Sequence, residues 1–275
     1  MHGSALIVLL ALGLQPPPTP PVATPPGGPG DAADAATREA PSTAPATGIL
    51  FKSITLDHET YTYAVYVPFE YTPERAWPTI LFLCGSGDAG NDGLRTIDSG
   101  IGRILRRDRK RIPAIVVFPQ CRQNQTWVGP AQTLAVRCLE VTSREYHVDH
   151  DRVYLTGLSL GGQGAWLLAA RYPKHFAAVV PICGFIDGLN QPADADRLTQ
   201  VAMNLKDVPI WAFHGAADRN VPVGRTREVI EALKEAGNTR VRYTEYPDLT
   251  HNCWDRAYGE AELWKWLLAQ ERHAE

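Results

Sequence analysis

A serine flanked by glycines forms a pattern typical of an activated nucleophile. Residues 157–161 read GLSLG, with a predicted strand before them at 152–155 and a predicted helix starting near Gly161. In this strand-turn-helix context the pattern is specific, because small residues permit a tight turn that exposes the serine above the sheet edge. The N-terminus of the following helix also favours a developing negative charge. The pattern therefore predicts that Ser159 is a nucleophile.

A serine hydroxyl needs a base to take its proton and an acid to orient that base. On this type of scaffold, the chain order is serine, then Asp or Glu, then histidine. Asp218 lies five residues after the predicted strand 209–213, and His251 lies between the last predicted strand and the last predicted helix. Both are loop positions at the edge where open α/β sheets bind ligands. We predict Asp218 as the orienting acid and His251 as the base, and interpret His214 as a structural histidine.

A carbonyl attacked by a serine needs two N–H donors for its developing oxyanion. The residue after the nucleophile, here Leu160, supplies one of them. The second is expected from the loop after the predicted strand 79–83, which reads CGSGDAG. Because its small residues let the backbone approach a ligand closely, we place the donor at Ser86, with Gly87 as the alternative. The loop has neither the GK[ST] ending nor the GxGxxG spacing of a phosphate-binding loop.

The remaining chain predicts the sheet that would position these residues. Residues 51–56 and 61–67 surround a short polar turn, which indicates an antiparallel hairpin. Short apolar runs then alternate with helical patterns, as in a parallel sheet covered on both faces. Strands are predicted at 79–83, 114–118, 152–155, 177–182, 209–213 and 241–246, and helices at 97–107, 132–146, 161–172, 223–236 and 257–270. This is an α/β fold with a mostly parallel, doubly wound sheet and a leading antiparallel hairpin. The largest candidate insertion, 184–207, is too short for a large lid.

The N-terminal region differs in composition from the rest of the chain. Residues 5–14 form an apolar run with the length of a signal-peptide core. The segment that follows is rich in proline and alanine and contains no aromatic residue, so it cannot form a packed core. We expect a signal peptide at 1–14, a disordered linker at 15–48 and a catalytic domain at 49–275, in a secreted or periplasmic protein.

The charge and hydropathy patterns argue against two classes of function. The net charge is −3, and no long basic stripe offers a nucleic-acid footprint. The basic run 103–111 is interpreted as the solvated face of a surface helix. A membrane-spanning helix needs about 20 apolar residues, and no run here is that long. We therefore expect neither a nucleic-acid partner nor a stable membrane span.

Five cysteines are present, and none of them forms a CxxC pair, which argues against a structural zinc site. Cys84, Cys121 and Cys183 each follow a predicted strand, and Cys253 lies two residues after His251. Two interpretations remain open. The thiols are either small buried side chains, or export oxidises one pair, most plausibly Cys121 with Cys253. No metal and no other cofactor is predicted.

Several segments, in this order and at these intervals, resemble secreted esterases of the α/β-hydrolase superfamily. They are LCGSGDAG, PQC with a later Trp127, GLSLGGQGAW, FHGAADRNVP and HNCWDRAY, and the resemblance covers roughly residues 49–270. The relatives are the feruloyl-esterase, acetylxylan-esterase and polyhydroxybutyrate-depolymerase-like group. The resemblance implies an α/β-hydrolase fold and a serine esterase that forms an acyl-enzyme. One departure is Cys84-Gly85, where the family usually has His-Gly. Since the oxyanion donor is a backbone N–H, this change should spare the donor.

The substrate and the class of function leave alternatives open. Short acyl, acetyl or feruloyl esters, including esters on a polysaccharide, are the expected substrates of a monomer or small homo-oligomer. Trp127, Phe185 and Trp254 follow strands at the catalytic edge, where they either line the substrate pocket or pack in the core and anchor loops. The enzymatic alternative is a peptidase of the prolyl-oligopeptidase type. The alternative of another class is a non-catalytic, hydrolase-like binding protein.

Overall fold

The computed structural model describes residues 45–188 and 193–272. The predicted signal peptide at 1–14 and most of the predicted linker at 15–48 lie outside these residues. The described chain contains eight strands: β1 (Gly48–Leu56), β2 (Glu59–Val67), β3 (Trp77–Leu83), β4 (Ile115–Pro119), β5 (Val148–Leu158), β6 (Ala178–Ile182), β7 (Ile210–Gly215) and β8 (Val241–Tyr246).

The eight strands form one sheet in the order β1-β2-β4-β3-β5-β6-β7-β8. The pairs β1–β2 and β2–β4 are antiparallel, and every other neighbouring pair is parallel. The central strands β4 and β6 are buried along their whole length, as expected for parallel strands covered on both faces. The edge strand β1 alternates instead between exposed and half-buried residues. The predicted sheet with its leading antiparallel hairpin is therefore confirmed.

The described residues contain seven α-helices, of which the first five lie between strands and the last two follow β8: α1 (Gly100–Arg107), α2 (Pro130–Glu145), α3 (Leu160–Arg171), α4 (Ala195–Asn204), α5 (Gly224–Glu235), α6 (Trp254–Gly259) and α7 (Ala261–Leu268). The predicted helix 257–270 is wrong as a single element, because the backbone at Glu260 is extended and separates α6 from α7.

Helix α4 lies in the segment considered above as a candidate insertion and was not predicted. It buries only Val201 and Ala202, so few apolar residues mark it in the sequence. Its start is stabilised by Asp194, whose side chain accepts a hydrogen bond from the Arg197 backbone N–H at 2.9 Å. Since α4 packs against α3 and α5, it belongs to the helical layer. The described residues contain no large lid.

The basic run 103–111 spans the end of α1 and a short 3-10 turn. Several of its arginines are already paired: Arg103 with Asp255 at 2.8 Å and Arg106 with Asp98 at 2.8 Å. The run is thus a solvated surface held by local ion pairs. Across the part of the chain that the structure describes, no helix combines the length and the apolar character needed to cross a membrane.

Candidate active site

Ser159 lies at the sharp turn between β5 and α3, which we call the serine turn (residues 157–162). Its backbone has φ 55° and ψ −116°, a conformation that is costly for a residue with a side chain. The surrounding glycines are required by close backbone contact. A Cβ at Gly161 would lie 1.9 Å from the Leu83 carbonyl oxygen, and a Cβ at Gly157 would lie 2.2 Å from the Gly161 oxygen. The turn is therefore fixed by tightly packed backbone, as the G-x-S-x-G pattern predicts.

His251 lies in the loop between β8 and α6, which we call the histidine loop (residues 247–253). Gly215, the last residue of β7, allows this loop to approach, since a Cβ there would lie 2.3 Å from the Thr250 oxygen. The Ala217 backbone N–H also donates to the Leu249 oxygen at 3.0 Å. These contacts place the imidazole over the carboxyl ends of β5 and β7.

The structure brings the three predicted residues together in one hydrogen-bonded row. His251 Nε2 lies 2.9 Å from Ser159 Oγ, and His251 Nδ1 lies 2.7 Å from Asp218 Oδ2. The His251 side chain keeps 17% exposure, whereas the Asp218 side chain is fully buried. This geometry permits proton transfer from the hydroxyl to Nε2 while the carboxylate holds the Nδ1–H tautomer.

Asp218 is held as a carboxylate by four hydrogen bonds. Its Oδ1 accepts from the backbone N–H groups of Asn220 and Val221 at 2.8 and 2.9 Å. Its Oδ2 accepts from His251 and also from His214 Nε2, at 3.1 Å. Burial raises the pKa of Asp218, but the hydrogen bonds from the two imidazoles and the two amides outweigh it and hold this pKa well below its ordinary value.

The predicted oxyanion donors Leu160 and Ser86 come from two different elements. Leu160 is the first residue of α3, so its N–H has no carbonyl partner within the helix. Ser86 opens a 3-10 turn in the segment 84–93, which we call the glycine-rich loop. The hydrogen bonds of that turn come from the Asp88 and Ala89 N–H groups, which leaves the Ser86 and Gly87 N–H groups outside it.

The glycine-rich loop lies directly against the serine turn. A Cβ at Gly85 would lie 2.8 Å from Leu158 Cδ1 and 3.6 Å from Ser159 Cβ. Ser86 is exposed and Leu160 is half-buried. The Leu160 N–H adjoins Ser159, and the Ser86 and Gly87 N–H groups belong to a loop that contacts the serine turn, so the oxyanion donors predicted from the sequence come from neighbouring segments.

Comparison with known proteins identifies the family to which this chain belongs. The profile of the Esterase family matches residues 54–271. The chain belongs to the Esterase family. It is similar to a crystal structure of a thermostable esterase, with 29% identity and a TM-score of 0.70 over 82% of this chain and 63% of that one. The α/β-hydrolase fold inferred above is confirmed by this likeness.

Two further solved structures share the fold at lower identity. They are the feruloyl esterase module from Clostridium thermocellum in complex with sinapinate (17% identity, TM-score 0.62, covering 82% of this chain and 90% of that one) and an S-formylglutathione hydrolase from Agrobacterium tumefaciens (17% identity, TM-score 0.61, covering 82% and 97%). A secreted protein of Arthroderma benhamiae is 28% identical to this chain over 63% of the chain. This chain spans about a fifth (21%) of that protein's length.

Trp127 was expected to line the substrate pocket as one alternative, and the structure contradicts this. Its side chain has 0% exposure, and its indole N–H donates to the Cys84 oxygen at 2.9 Å. Trp127 therefore holds the start of the glycine-rich loop through this hydrogen bond. The sequence placed Trp127 correctly at the catalytic edge but did not show that its side chain is buried. That burial results from close packing against α3, where a Cβ at Gly164 would lie 2.5 Å from Trp127 Cβ.

Gln120 is a supporting residue of the same loop that sequence reasoning missed. Its side-chain amide donates to the Asp88 oxygen at 3.0 Å and accepts from the Gly93 N–H at 2.7 Å. Its side chain is buried beneath the loop. The only signal in the sequence was a polar residue directly after the apolar strand β4.

The other two predicted substrate residues differ in position. Trp254 is half-buried and meets the His251 ring edge-on, with 5.4 Å between ring centroids. Phe185 is 7% exposed, so it offers little surface to a ligand. Of the three aromatic residues, Trp254 is the one that the structure places against the base.

Of the two interpretations left open for the cysteines, the structure agrees with the small buried thiols and not with a Cys121–Cys253 disulfide, since all five cysteines are free and buried. The side chain of Cys253 instead interacts with that of Cys183, and burial raises the pKa of the Cys183 thiol well above its ordinary value. Cys183, Asp218 and His251 form the one group in the described residues whose ligand atoms could surround a metal ion. Because the carboxylate and imidazole bind each other and the thiol is protonated, this set fits a triad better than a metal centre.

Proposed function

We propose that this protein hydrolyses carboxylic esters through an acyl-enzyme on Ser159, with His251 as general acid–base and Asp218 as its orienting acid. The observation that carries the proposal is the hydrogen-bonded row from Ser159 through His251 to Asp218, at 2.9 and 2.7 Å. Membership of the Esterase family supports the same reaction. No metal and no other cofactor takes part in it.

The proposed reaction proceeds in two halves. Ser159 Oγ attacks the ester carbonyl while His251 Nε2 takes the hydroxyl proton, and the tetrahedral oxyanion is bound by the N–H groups of Leu160 and Ser86. The C–O bond to the alcohol then breaks, and His251 returns the proton to the leaving oxygen. Water attacks the acyl-enzyme with the same base, which releases the acid and restores Ser159.

The substrate class that we propose is an ester of a short acyl, acetyl or feruloyl group, including one carried by a polysaccharide. Ser86 is exposed beside the serine turn, and Trp254 presents an aromatic ring next to the base. Helix α4 packs against α3 and α5, and Ser159 itself is half-buried rather than buried. An open site of this kind suits an acyl group that projects from a polymer.

The proposal is tested by hydrolysis of p-nitrophenyl acetate with the wild type and the Ser159→Ala variant. We expect release of p-nitrophenol by the wild type only, because the variant lacks the attacking oxygen. A panel of acetyl, feruloyl and longer acyl esters, with a matched amide beside each, then defines the substrate. Faster cleavage of the amides would favour a peptidase. Absence of any Ser159-dependent hydrolysis would favour a non-catalytic binding protein.

We also propose that residues 1–14 direct export and that residues 15–48 form a linker to the catalytic domain. The similarity to a secreted protein supports this proposal. Expression of the full chain in a bacterial host, with intact mass measured on the periplasmic or medium fraction, tests it. Recovery only in the cytoplasm at full mass would contradict export.

A further inference from the structure

His214 is a second imidazole on the carboxylate that binds His251. It lies in β7, four residues before Asp218, and its side chain is fully buried. Its Nε2 lies 3.1 Å from Asp218 Oδ2 and 3.0 Å from the Val221 carbonyl oxygen. Its Nδ1 lies 2.8 Å from Thr226 Oγ1. Every ring nitrogen of His214 is therefore engaged, although the reaction derived above gives this residue no role.

The hydrogen-bond partners decide which nitrogen of His214 carries a proton. Both groups facing Nε2 are acceptors, since Asp218 is ionised and Val221 presents a carbonyl oxygen. Nε2 must therefore carry a hydrogen in the folded protein. Nδ1 faces a hydroxyl, which can donate to it or accept from it. The Thr226 hydroxyl also lies 3.1 Å from the Gly184 oxygen, so this end of the row reaches the loop after β6.

The same carboxylate oxygen, Asp218 Oδ2, accepts from both His214 and His251. The other oxygen is occupied by two backbone amides. With all four bonds in place the carboxylate cannot rotate, because any rotation breaks at least one bond in a buried site. A single carboxylate oxygen therefore links the two imidazoles.

We propose that His214 is a positioning residue for the proposed esterase reaction, which fixes Asp218 Oδ2 through its Nε2–H and thereby sets the orientation of His251. This inference rests on the proposed function of Ser159, His251 and Asp218. The row then contains four side chains in the order His214, Asp218, His251, Ser159. His214 does not touch substrate and acts only through the carboxylate.

Other titratable groups lie near this row. Cys183 offers its sulfur within 4.8 Å of the Asp218 and His251 ligand atoms, and Cys253 interacts with Cys183. Glu245 on β8 lies close enough to His214 to interact with it electrostatically, but it is bound by Arg227 and Tyr243. The variants below leave all of these groups in place.

Two substitutions distinguish the effect of the His214 N–H donor from the effect of its side-chain volume. His214→Leu removes the donor to Asp218, whereas His214→Gln keeps a side-chain N–H that can reach Oδ2. Asn238→Leu is the matched control for stability. Asn238 is buried and donates to the Leu205 and Val208 oxygens at 2.8 and 3.0 Å, and it touches no residue of the row. All three variants lose buried polar contacts, but only one loses the bond to Asp218.

The first measurement is kcat and KM for a short-acyl p-nitrophenyl ester as a function of pH, per folded molecule. We expect His214→Leu to lower kcat about tenfold to a hundredfold with little change in KM, the range seen when the hydrogen-bonded partner that orients a metal-binding histidine is lost. His214→Gln should recover most of kcat, and Asn238→Leu should change neither kcat nor KM. An unchanged kcat in His214→Leu would overturn the proposal.

The second measurement does not need activity. In ¹⁵N-histidine-labelled protein that carries Ser159→Ala, NMR reports the protonation of each ring, and the His214 signals are assigned by their loss in His214→Gln. We expect a proton on His214 Nε2, because both groups that face this nitrogen are acceptors. A His214 ring without a proton on Nε2 would overturn the proposal, even if the leucine variant does not fold. If the wild type fails to hydrolyse esters, the proposed function is wrong. The NMR measurement still shows whether His214 donates a hydrogen bond to Asp218 through Nε2.

Discussion

The serine turn and the glycine-rich loop lie side by side, yet they are held in place by different means. The serine turn is fixed by backbone against backbone, where Gly161 approaches the Leu83 oxygen too closely for any Cβ. The glycine-rich loop is held by side chains from elsewhere in the chain, chiefly Gln120 and Trp127. The first arrangement leaves a recognisable sequence pattern, because only glycine fits. The second does not, because many side chains could serve as supports.

The largest effect is expected from the chemistry that the serine turn presents. Ser159→Ala and His251→Ala should each lower kcat on the order of 10⁴- to 10⁶-fold, and the double variant should be about as slow as the worse single one. The reason is that the nucleophile and its base act as one unit at 2.9 Å. Steady-state kinetics on a p-nitrophenyl ester measure this. Losses that multiply in the double variant would contradict the assignment.

A direct test of the comparison is the same glycine-to-alanine change in both segments. Gly161→Ala places a methyl group 1.9 Å from the Leu83 oxygen and should destabilise the protein by about 3 kcal/mol or more. Gly87→Ala meets no atom within 4 Å and should change the free energy of unfolding by less than about 0.5 kcal/mol. Urea unfolding of both variants gives the two values. Equal changes in the free energy of unfolding would show that the two segments tolerate an added Cβ equally well.

The role of Trp127 in supporting the glycine-rich loop gives a smaller expected effect. Trp127→Phe removes the N–H that binds the Cys84 oxygen and should cost about 1–2 kcal/mol in stability. It should also lower kcat about tenfold with KM nearly unchanged, because a displaced Ser86 N–H weakens oxyanion binding.

The matched control for Trp127→Phe is Trp166→Phe. Trp166 is equally buried, but its indole N–H has no hydrogen-bond partner in the described residues. Its replacement removes the same volume without breaking a hydrogen bond, so we expect little change in kcat. If both substitutions lower kcat alike, the Trp127 hydrogen bond is not the cause.

The smallest expected effect concerns the thiols around these segments. Burial raises the pKa of Cys84 to about 12 and that of Cys121 to about 11. At pH 8 fewer than about one of these thiols in a thousand is ionised, so alkylation of the folded protein should be slow. Intact mass should show five adducts once the protein is unfolded without reductant, since all five thiols are free. Fewer adducts would reveal a disulfide, for which Cys183 and Cys253 are the pair in contact.

The sequence alone determined most elements of the fold and the candidate residues of the row. The apolar runs that form β3 to β7 and the GLSLG turn before α3 are local patterns, because burial on both faces and tight backbone contact restrict neighbouring residues directly. The order of Ser159, Asp218 and His251 along the chain was sufficient to select these three residues. Helix α4 was missed for the same reason, since its local pattern buries only two residues.

Only the tertiary structure decided which side chains meet across the sheet. The sequence placed Trp127 and Cys253 at the catalytic edge and gave His214 a structural role. It did not show that Trp127 binds the Cys84 oxygen, that His214 shares Asp218 Oδ2 with His251, or that Cys253 meets Cys183. These partners are separated along the chain and are brought together by strand order and packing. A buried polar group must find a partner, but which partner it finds is set by the folded neighbourhood and not by adjacent residues.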